Sequence, residues 1–170
     1  MRKHTLLLTL GFLLISSGIY ACSCIGRHTV KEEIRNSDAV LLGTVISKDI
    51  VRLVDSNAIK MHALEDSLAK GLYETVVAKY QLVLTSKYKG KTSSDTVEIY
   101  TGLGNGDCGV RFEIGKTYII YGSNSTYLGQ LNNDTPYPKG KNIFWTNTCS
   151  RTTLENQKEI QEIEKHRKKR

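Results

Sequence analysis

Four cysteines are the residues of this 170-residue chain whose type and spacing could do chemistry. Cys22 and Cys24 form a Cys-x-Cys pair, and Cys108 and Cys149 stand alone farther along the chain. Thiols can form disulfides, bind zinc or carry a lipid. A zinc site favours Cys-x2-Cys or Cys/His pairs, so this spacing matches one only weakly. An even number of cysteines in an exported domain instead indicates two disulfides.

The residues before the Cys-x-Cys pair have the pattern of a secretory signal peptide, over residues 1–21. Basic residues near the start precede an apolar run at residues 6–15, which is too short to cross a bilayer because a spanning helix needs about 20 residues. The small Ala21 suits cleavage on its C-terminal side, so we expect a secreted, extracellular chain that begins at Cys22. The alternative is a lipoprotein at the cell surface or in the periplasm with its lipid anchor on Cys22, and the bulky Tyr20 counts against it.

The pairing of the cysteines is only partly determined by the residues. A bridge between Cys22 and Cys24 would close a very tight, strained ring. Each is therefore expected to pair with Cys108 or Cys149, in an order that the residues leave open. Such bridges close loops of roughly 85 to 125 residues, and in the chain-entropy model each stabilises by about 4–5 kcal/mol, less any native-state strain. Termini normally fray, whereas this one would be rigid.

The rest of the composition is typical of one globular domain at residues 22–170, with no second apolar segment that would span a membrane. The formal net charge of +7 comes largely from Arg2, Lys3 and a basic C-terminal tail at residues 166–170. Nucleic-acid binding needs aromatic side chains interleaved with basic ones, and no such stripe is present. We expect a solvated tail, no nucleic-acid partner and no cofactor; attraction to an anionic surface is the alternative for the tail.

The elements that must position the cysteines are mainly β-strands. Strand patterns occupy residues 39–47, 73–88, 95–102 and 112–122 with a turn at 115–116, and a short last segment follows at residues 142–150. Helix patterns occupy residues 29–36 and residues 152 onward, each opening on a Thr with a Glu three residues later, as in a capping box. Short strands separated by Gly turns predict a closed or nearly closed barrel. Residues 48–72 lack clear periodicity and are expected to be an insertion or a long hairpin loop.

Motifs that would indicate catalysis are missing from the sequence. It contains no H-E-x-x-H, G-x-S-x-G or P-loop motif, and three histidines follow the signal without clustering in the sequence. The Gly-rich stretch at residues 102–106 follows a strand, as a phosphate loop would, but Cys108 interrupts it and no helix pattern follows. We interpret this stretch as a flexible loop that leads into a disulfide, and we expect no enzyme activity.

The order of several segments is typical of one family of modules. The signal peptide runs directly into Cys-x-Cys, and DAVLLGTVIS, YQLVLTSKYKG and VEIYTG follow. Next come the pair Cys108–Gly109, the segment FEIGKTYIIYG and a TCSRT stretch before the final helix. Over essentially all of the mature chain this order resembles the netrin-like modules, and more closely the N-terminal domain of the tissue inhibitors of metalloproteinases.

The resemblance implies an OB-fold, a five-stranded Greek-key barrel with flanking helices. It implies disulfides from Cys22 to Cys108 and from Cys24 to Cys149. It also implies a secreted inhibitor of a zinc metalloprotease, in which the α-amino nitrogen and carbonyl oxygen of Cys22 chelate the catalytic zinc of the target. The side chain of Ser23 would then enter the protease's specificity pocket, beside a ridge formed by Gly104, Asn105, Gly106 and Asp107.

The chain also departs from the vertebrate inhibitors. Its four cysteines leave no third disulfide in this domain, we expect no second Cys-rich domain after the final helix, and Ile25 and Gly26 stand where those inhibitors often have Pro. The alternative is a non-inhibitory netrin-like binding module, secreted or lipid-anchored, whose fixed N-terminus is structural. In the inhibitors, a hairpin in the region of residues 48–72 can widen the contact surface.

Overall fold

The computed structural model describes residues 22, 24, 26, 28–55, 59–60, 71, 74–126 and 137–167. The expected signal peptide, Ser23, Ile25, residues 56–58, 61–70 and 72–73, and the last three residues of the tail lie outside the described residues. Neither of the two helices bounded below is long and apolar enough to cross a membrane, nor is any other helix in the described ranges.

Six strands form one sheet in the described part of the chain. They are β1 (Ala39–Val54), β2 (Glu74–Lys89), β3 (Thr96–Thr101), β4 (Thr117–Gly122), β5 (Ile143–Trp145) and β6 (Thr153–Leu154). Their order across the sheet is β5-β3-β2-β1-β4-β6. All neighbouring strands are antiparallel except β3 and β5, which are parallel.

The sheet closes into a barrel because β5 contacts both β3 and the end of β4. Trp145 of β5 exchanges two backbone hydrogen bonds, of 2.7 and 2.8 Å, with Ser123 directly after β4. The ring therefore runs β1-β2-β3-β5-β4 and returns to β1, while β6 adds two residues beside β4. This is the expected mainly β, five-stranded barrel of the OB type, and the short β6 is the one strand beyond the expected number among those described.

The first two strands form a long, bent hairpin. The strand expected at residues 39–47 continues to Val54, which pairs with Glu74 of β2, so residues 48–54 form part of the strand and not the insertion or hairpin loop that was expected to begin at residue 48. The register shifts at three places, and such bulges bend a strand around a barrel. At Gly43 the strands approach so closely that a Cβ would lie 2.9 Å from the carbonyl oxygen of Val83.

The segment before β4 differs from the expectation. Residues 112–114 were expected to form a strand that turns into β4, but they form none. Phe112 instead inserts into the barrel, with its ring edge-on to Tyr80 and Tyr118 at centroid distances of 4.9 and 4.8 Å. Burial of this aromatic ring therefore decides the path of the segment, while the turn at Gly115 bonds to β1 through Val45.

The first helix, α1 (Val30–Asn36), has the expected capping box. The backbone N–H of Glu32 donates to Thr29 Oγ1 at 3.3 Å, and the N–H of Thr29 donates to Glu32 Oε2 at 2.8 Å. At the other end, Lys89 Nζ of β2 donates to the carbonyl oxygen of Ile34 at 2.6 Å. A cation there satisfies the helix's last carbonyls, so α1 is fixed at both ends.

The second helix, α2 (Gln157–Arg167), begins later than the sequence predicts. The capping box expected from Thr152 and Glu155 is wrong, because the intervening residues pair with β4 as β6. Asn156 takes the capping role instead, since its Oδ1 accepts a hydrogen bond of 2.8 Å from the N–H of Glu159. Pairing in the sheet therefore overrides the local capping signal.

Two apolar clusters hold the barrel and the helices together. The barrel interior contains side chains from β1 to β5 and the segment before β4: Ala39, Leu41, Val45, Ala78, Tyr80, Leu82, Val97, Ile99, Phe112, Tyr118, Ile120 and Phe144. A second cluster packs both helices against the outer face of β1 and β4: Val40, Leu42, Ile119, Tyr121 and Ile163, with Val30, Ile34, Tyr88 and Ile160 at its edge.

Replacing Ile163 by Ala should detach α2 from the barrel. This side chain is 1% exposed, and removing a buried Ile side chain lowers the free energy of unfolding by about 2–5 kcal/mol. Chemical denaturation of the oxidised protein measures the change. The control is Ile114→Ala, at a side chain that is 64% exposed, which should change the free energy by less than about 0.5 kcal/mol. Equal effects of the two variants would contradict the packing of α2.

Candidate functional site

Two disulfides attach the first cysteines to distant parts of the barrel. Cys22 is bonded to Cys108 and Cys24 to Cys149, with Cα–Cα distances of 5.4 and 5.2 Å. This is the pairing that the resemblance implies. Free cysteines are absent from the described residues. The two partner loops are themselves joined, because the N–H of Thr148 donates to the carbonyl oxygen of Cys108 at 2.8 Å.

Cys22 lies beside the loop that connects β3 to the segment before β4, residues 102–110, which we call the 102–110 loop. Cys22 is half-buried, and its Sγ is 3.8 Å from the carbonyl oxygen of Gly106. The expected ridge residues Gly104, Asn105, Gly106 and Asp107 belong to this loop, which also carries Cys108, the disulfide partner of Cys22. Ser23 lies outside the described residues.

Asp107 organises the 102–110 loop from within. Its carboxylate accepts hydrogen bonds from the backbone N–H groups of Leu103, of Gly104 at 2.7 Å and of Gly109 at 3.1 Å. Burial opposes ionisation of this group, but the three N–H donors outweigh it and hold the pKa of Asp107 below its usual value. An ionised Asp107 therefore ties the start of the loop to its end.

Arg111 closes the same loop from outside. Its Nε donates to the carbonyl oxygen of Leu103 at 3.3 Å and its Nη2 to that of Gly104 at 3.2 Å. Nη2 also contacts Oδ1 of Asn105. This dense bonding differs from the flexible loop that the glycines predict, because two charged side chains use the free backbone groups that glycines leave accessible.

The backbone of the 102–110 loop is unusually tight. Cys108 has a φ of 58° and Gly104 a φ of 78°, in the left-handed region that side chains other than glycine rarely adopt. A Cβ on Gly109 would lie 2.1 Å from the carbonyl carbon of Gly102, so the two ends of the loop touch through their backbones. The half-cystine that holds Cys22 is thus presented from a closely constrained turn.

The loop that holds Cys24 is fixed by a side-chain turn. Oδ1 of Asn147 accepts hydrogen bonds from the N–H groups of Cys149 at 2.8 Å and Ser150 at 3.1 Å. Just before it, the buried Thr146 donates through Oγ1 to the carbonyl oxygen of Tyr121 in β4 at 3.0 Å. The position of Cys149 is therefore set by the barrel.

An ion pair beside this loop involves residues that the sequence did not single out. Arg151 donates to Glu159 of α2 through Nε at 2.8 Å and Nη2 at 2.5 Å, and through Nη1 to the carbonyl oxygen of His28 at 3.0 Å. Tyr121 also donates to Glu159, at 2.8 Å. Burial of Glu159 opposes its charge, but the hydrogen bonds from Arg151 and Tyr121 outweigh this effect, so the pKa of Glu159 is lowered. The TCSRT stretch contains Arg151, yet no sequence spacing points from it to Glu159 or His28.

The described residues around Cys22 form a fixed geometry. None of the His, Cys, Asp and Glu side chains in the described ranges form a group of three or more that could hold a metal ion. The arrangement brings together the backbone of Cys22, the 102–110 loop and the turn at Cys149. Such an arrangement can present main-chain atoms of Cys22 to a partner in one fixed orientation.

Comparison with known families agrees with this geometry. A family model described as tissue inhibitor of metalloproteinase (TIMP) matches residues 20–132, more than half of the chain. No curated protein gives a significant match. The matched range contains Cys22, Cys24 and the whole 102–110 loop, and it ends before Cys149 and α2. The chain therefore belongs to the tissue inhibitor of metalloproteinase family, a family of inhibitors rather than enzymes.

Proposed function

We propose that this protein is a secreted inhibitor of a zinc metalloendopeptidase and that its mature chain begins at Cys22. The backbone amine and carbonyl oxygen of Cys22 chelate the catalytic zinc of the target. The observation that carries the proposal is the double attachment of Cys22 and Cys24 to a constrained barrel edge in a chain of this family. Membership of the family supports inhibition, and the position of Cys22 supports the mechanism.

The chelation is chemically reasonable because of how catalytic zinc sites are built. Such a site uses three protein ligands and keeps an open position for water. A nitrogen and an oxygen from one residue can occupy the metal, displacing the water that would otherwise attack the substrate. An α-amino group has a reference pKa of about 7.7–8.0, so its lone pair is accessible near neutral pH. Inhibition therefore needs no catalytic side chain from the inhibitor.

The two disulfides reduce the entropic cost of this binding. A free terminus would lose conformational entropy when it ligates a metal, and that loss would weaken the complex. Cys22 and Cys24 are instead already fixed, and the hydrogen bond from Thr148 to Cys108 joins the two loops that fix them. The chelating atoms are therefore ordered before the protease arrives.

The neighbouring residues have separate roles in this proposal. Ser23 follows the chelating residue, so its side chain enters the specificity pocket of the protease. Gly104, Asn105, Gly106 and Asp107 form the ridge that lies along the rim of the protease cleft. The distance of 3.8 Å between Cys22 Sγ and the Gly106 carbonyl oxygen supports one continuous contact surface.

Adding one Ala before Cys22 should abolish inhibition and leave the fold intact. The extension moves the primary amine away from the metal and replaces it with an amide nitrogen, which is a poor ligand. The inhibition constant against a zinc endopeptidase that the unmodified protein inhibits should rise at least about a hundredfold, which corresponds to about 2.7 kcal/mol.

The matched control carries the additional Ala after Arg170 and should inhibit as well as the unextended protein. Equal inhibition by the two extended chains would contradict chelation by Cys22.

The intact mass of the exported protein tests the starting residue. A diacylglyceryl increment on Cys22 would contradict the proposal and favour a lipid-anchored, non-inhibitory module.

The inhibition constant should also depend on pH in one direction. Only the neutral amine can ligate zinc, so binding is strongest above the amine's pKa and weakens as the pH falls through it. Below about pH 7.7, the constant should rise roughly tenfold per pH unit. A small zinc ligand without an amine, measured on the same protease, corrects for titration of the protease itself. A constant ratio between the two inhibitors across pH 6–8.5 would contradict the mechanism.

Asp107→Asn should loosen the proposed ridge, because both carboxylate oxygens accept backbone hydrogen bonds and the amide has only one acceptor oxygen. The variant loses the charge that three backbone N–H groups share, so the amides of Leu103, Gly104 and Gly109 should exchange hydrogen faster. For a half-exposed site we expect the loss to be about 1–2 kcal/mol, below the value for fully buried charged bonds. Inhibition should weaken correspondingly, about tenfold.

The control for this variant is Asp95→Asn, at an exposed carboxylate that forms an ion pair of 3.0 Å with Lys87. Because the pKa of Asp107 is lowered, its contribution is present at neutral pH and lost as the pH falls below about 3.8 through that lowered pKa. Acid unfolding of the Asp107→Asn protein should lack this component. Unchanged hydrogen exchange and unchanged acid unfolding would contradict the claim that Asp107 stabilises the ridge.

A further inference from the structure

Arg151 lies between the N-terminal segment, residues 22–28, and α2. We infer that Arg151 is a positioning residue that fastens this segment to α2 at His28 and thereby helps to hold Cys22 in its binding orientation. The part that concerns inhibition rests on the proposed function. The family match ends at residue 132, so it assigns no role to Arg151 or to α2.

The geometry of the contact requires a guanidinium group. Nε and Nη2 of Arg151 grip the two carboxylate oxygens of Glu159, while Nη1 remains available for the carbonyl oxygen of His28. The planar fork of Arg supplies these donors in fixed directions, which the single ammonium of Lys does not do. One side chain therefore joins an anchored carboxylate to the backbone of the N-terminal segment.

Glu159 is a firm anchor for this arrangement. It is 8% exposed, and its Oε1 also accepts the hydrogen bond of 2.8 Å from Tyr121 of β4. Its backbone N–H is held by the helix cap at Asn156. The carboxylate is thus attached to both the barrel and the start of α2, and movement of Arg151 would leave a buried charge without its partner.

Arg151 also lies close to Glu33 of α1, a side chain that is 6% exposed. Burial raises the pKa of Glu33, and His28 and Arg151 oppose that shift. Arg151 therefore joins α2 to the N-terminal segment through its side chain, and it lies close to α1.

The attachment at His28 complements the attachment at Cys24. Cys149 and Arg151 are two residues apart, and they hold Cys24 and His28, which are four residues apart. The two disulfides fix the start of the segment at Cys22 and Cys24, but they do not fix the chain after Cys24, which is exposed. The hydrogen bond to the His28 carbonyl oxygen supplies an attachment at the other end of the segment, where no disulfide acts.

The experiment replaces the pair while keeping the fold. Arg151→Ala alone would leave Glu159 charged and buried, and it risks unfolding the chain. The informative protein carries Arg151→Met and Glu159→Gln together, because Met keeps much of the aliphatic packing and Gln can still accept from Tyr121. Arg151→Lys with Glu159 intact is the second variant, since it keeps the charge but not the fork. The control is Lys165→Met with Glu162→Gln, a pair of 3.6 Å between exposed side chains of the same helix.

Two measurements on these proteins separate the inference from the proposed function. Hydrogen exchange of the isolated protein should become at least about tenfold faster in peptides covering residues 22–29 of both Arg151 variants, with the barrel peptides unchanged. The inhibition constant against a zinc endopeptidase should rise at least about tenfold for both, and the control pair should change neither quantity.

Each outcome decides whether Arg151 orients the N-terminal segment. Unchanged exchange at residues 22–29 overturns the inference, and so does faster exchange without weaker inhibition. Loss of the fold in both variants overturns it as well, because Arg151 would then stabilise the whole domain instead of orienting one segment. If the unmodified protein inhibits no zinc endopeptidase, the proposed function fails, while the exchange data still decide whether Arg151 anchors His28.

Discussion

The constraint on which this structure depends is the covalent attachment of Cys22 and Cys24 to two loops at one edge of the barrel. Disulfides stabilise largely by restricting the unfolded chain, and these two close very long loops, with sequence separations of 86 and 125. Their second effect is local, because they impose one position on residues that would otherwise fray. The barrel, the 102–110 loop and the turn at Cys149 all contribute to holding the two partner cysteines in place. The fold therefore acts as a rigid mount for a short stretch of backbone.

Electrostatics supports the same mount from both sides. On one side, the carboxylate of Asp107 accepts hydrogen bonds from three backbone N–H groups and so shapes the loop that carries Cys108. On the other side, Glu159 accepts hydrogen bonds from Arg151 and Tyr121, and Arg151 also donates one to the carbonyl oxygen of His28. In both cases a carboxylate keeps its charge despite partial burial because several donors converge on it. These are positional interactions, and neither places a reactive group at the surface beside Cys22.

The sequence predicts what is local or periodic, and it fails where distant partners decide. The capping box of Thr29 is confirmed because it needs only neighbouring residues, whereas the same signal at Thr152 is overridden when β6 pairs with β4. The barrel follows from short strands with Gly turns, but the path of Phe112 depends on two rings far away in the sequence. The close spacing of Cys22 and Cys24 excludes one cysteine pairing without choosing between the other two, and the choice required a family resemblance. The ion pair of Arg151 joins a loop to a helix, and neither its spacing nor its residue types distinguish it from an ordinary surface pair.

The separation of the bonded cysteines has a consequence for how the chain matures. If the chain crosses a membrane from its N-terminus, Cys22 and Cys24 arrive in the oxidising compartment long before either partner. Cys108 then arrives first, while both early thiols compete for it, and a bond from Cys24 to Cys108 would leave Cys149 to find Cys22. Correcting such a mistake needs thiol–disulfide exchange, which is slow without an isomerase. Yield of active protein would then be governed by oxidative folding machinery in the producing cell, even where the finished domain is highly stable.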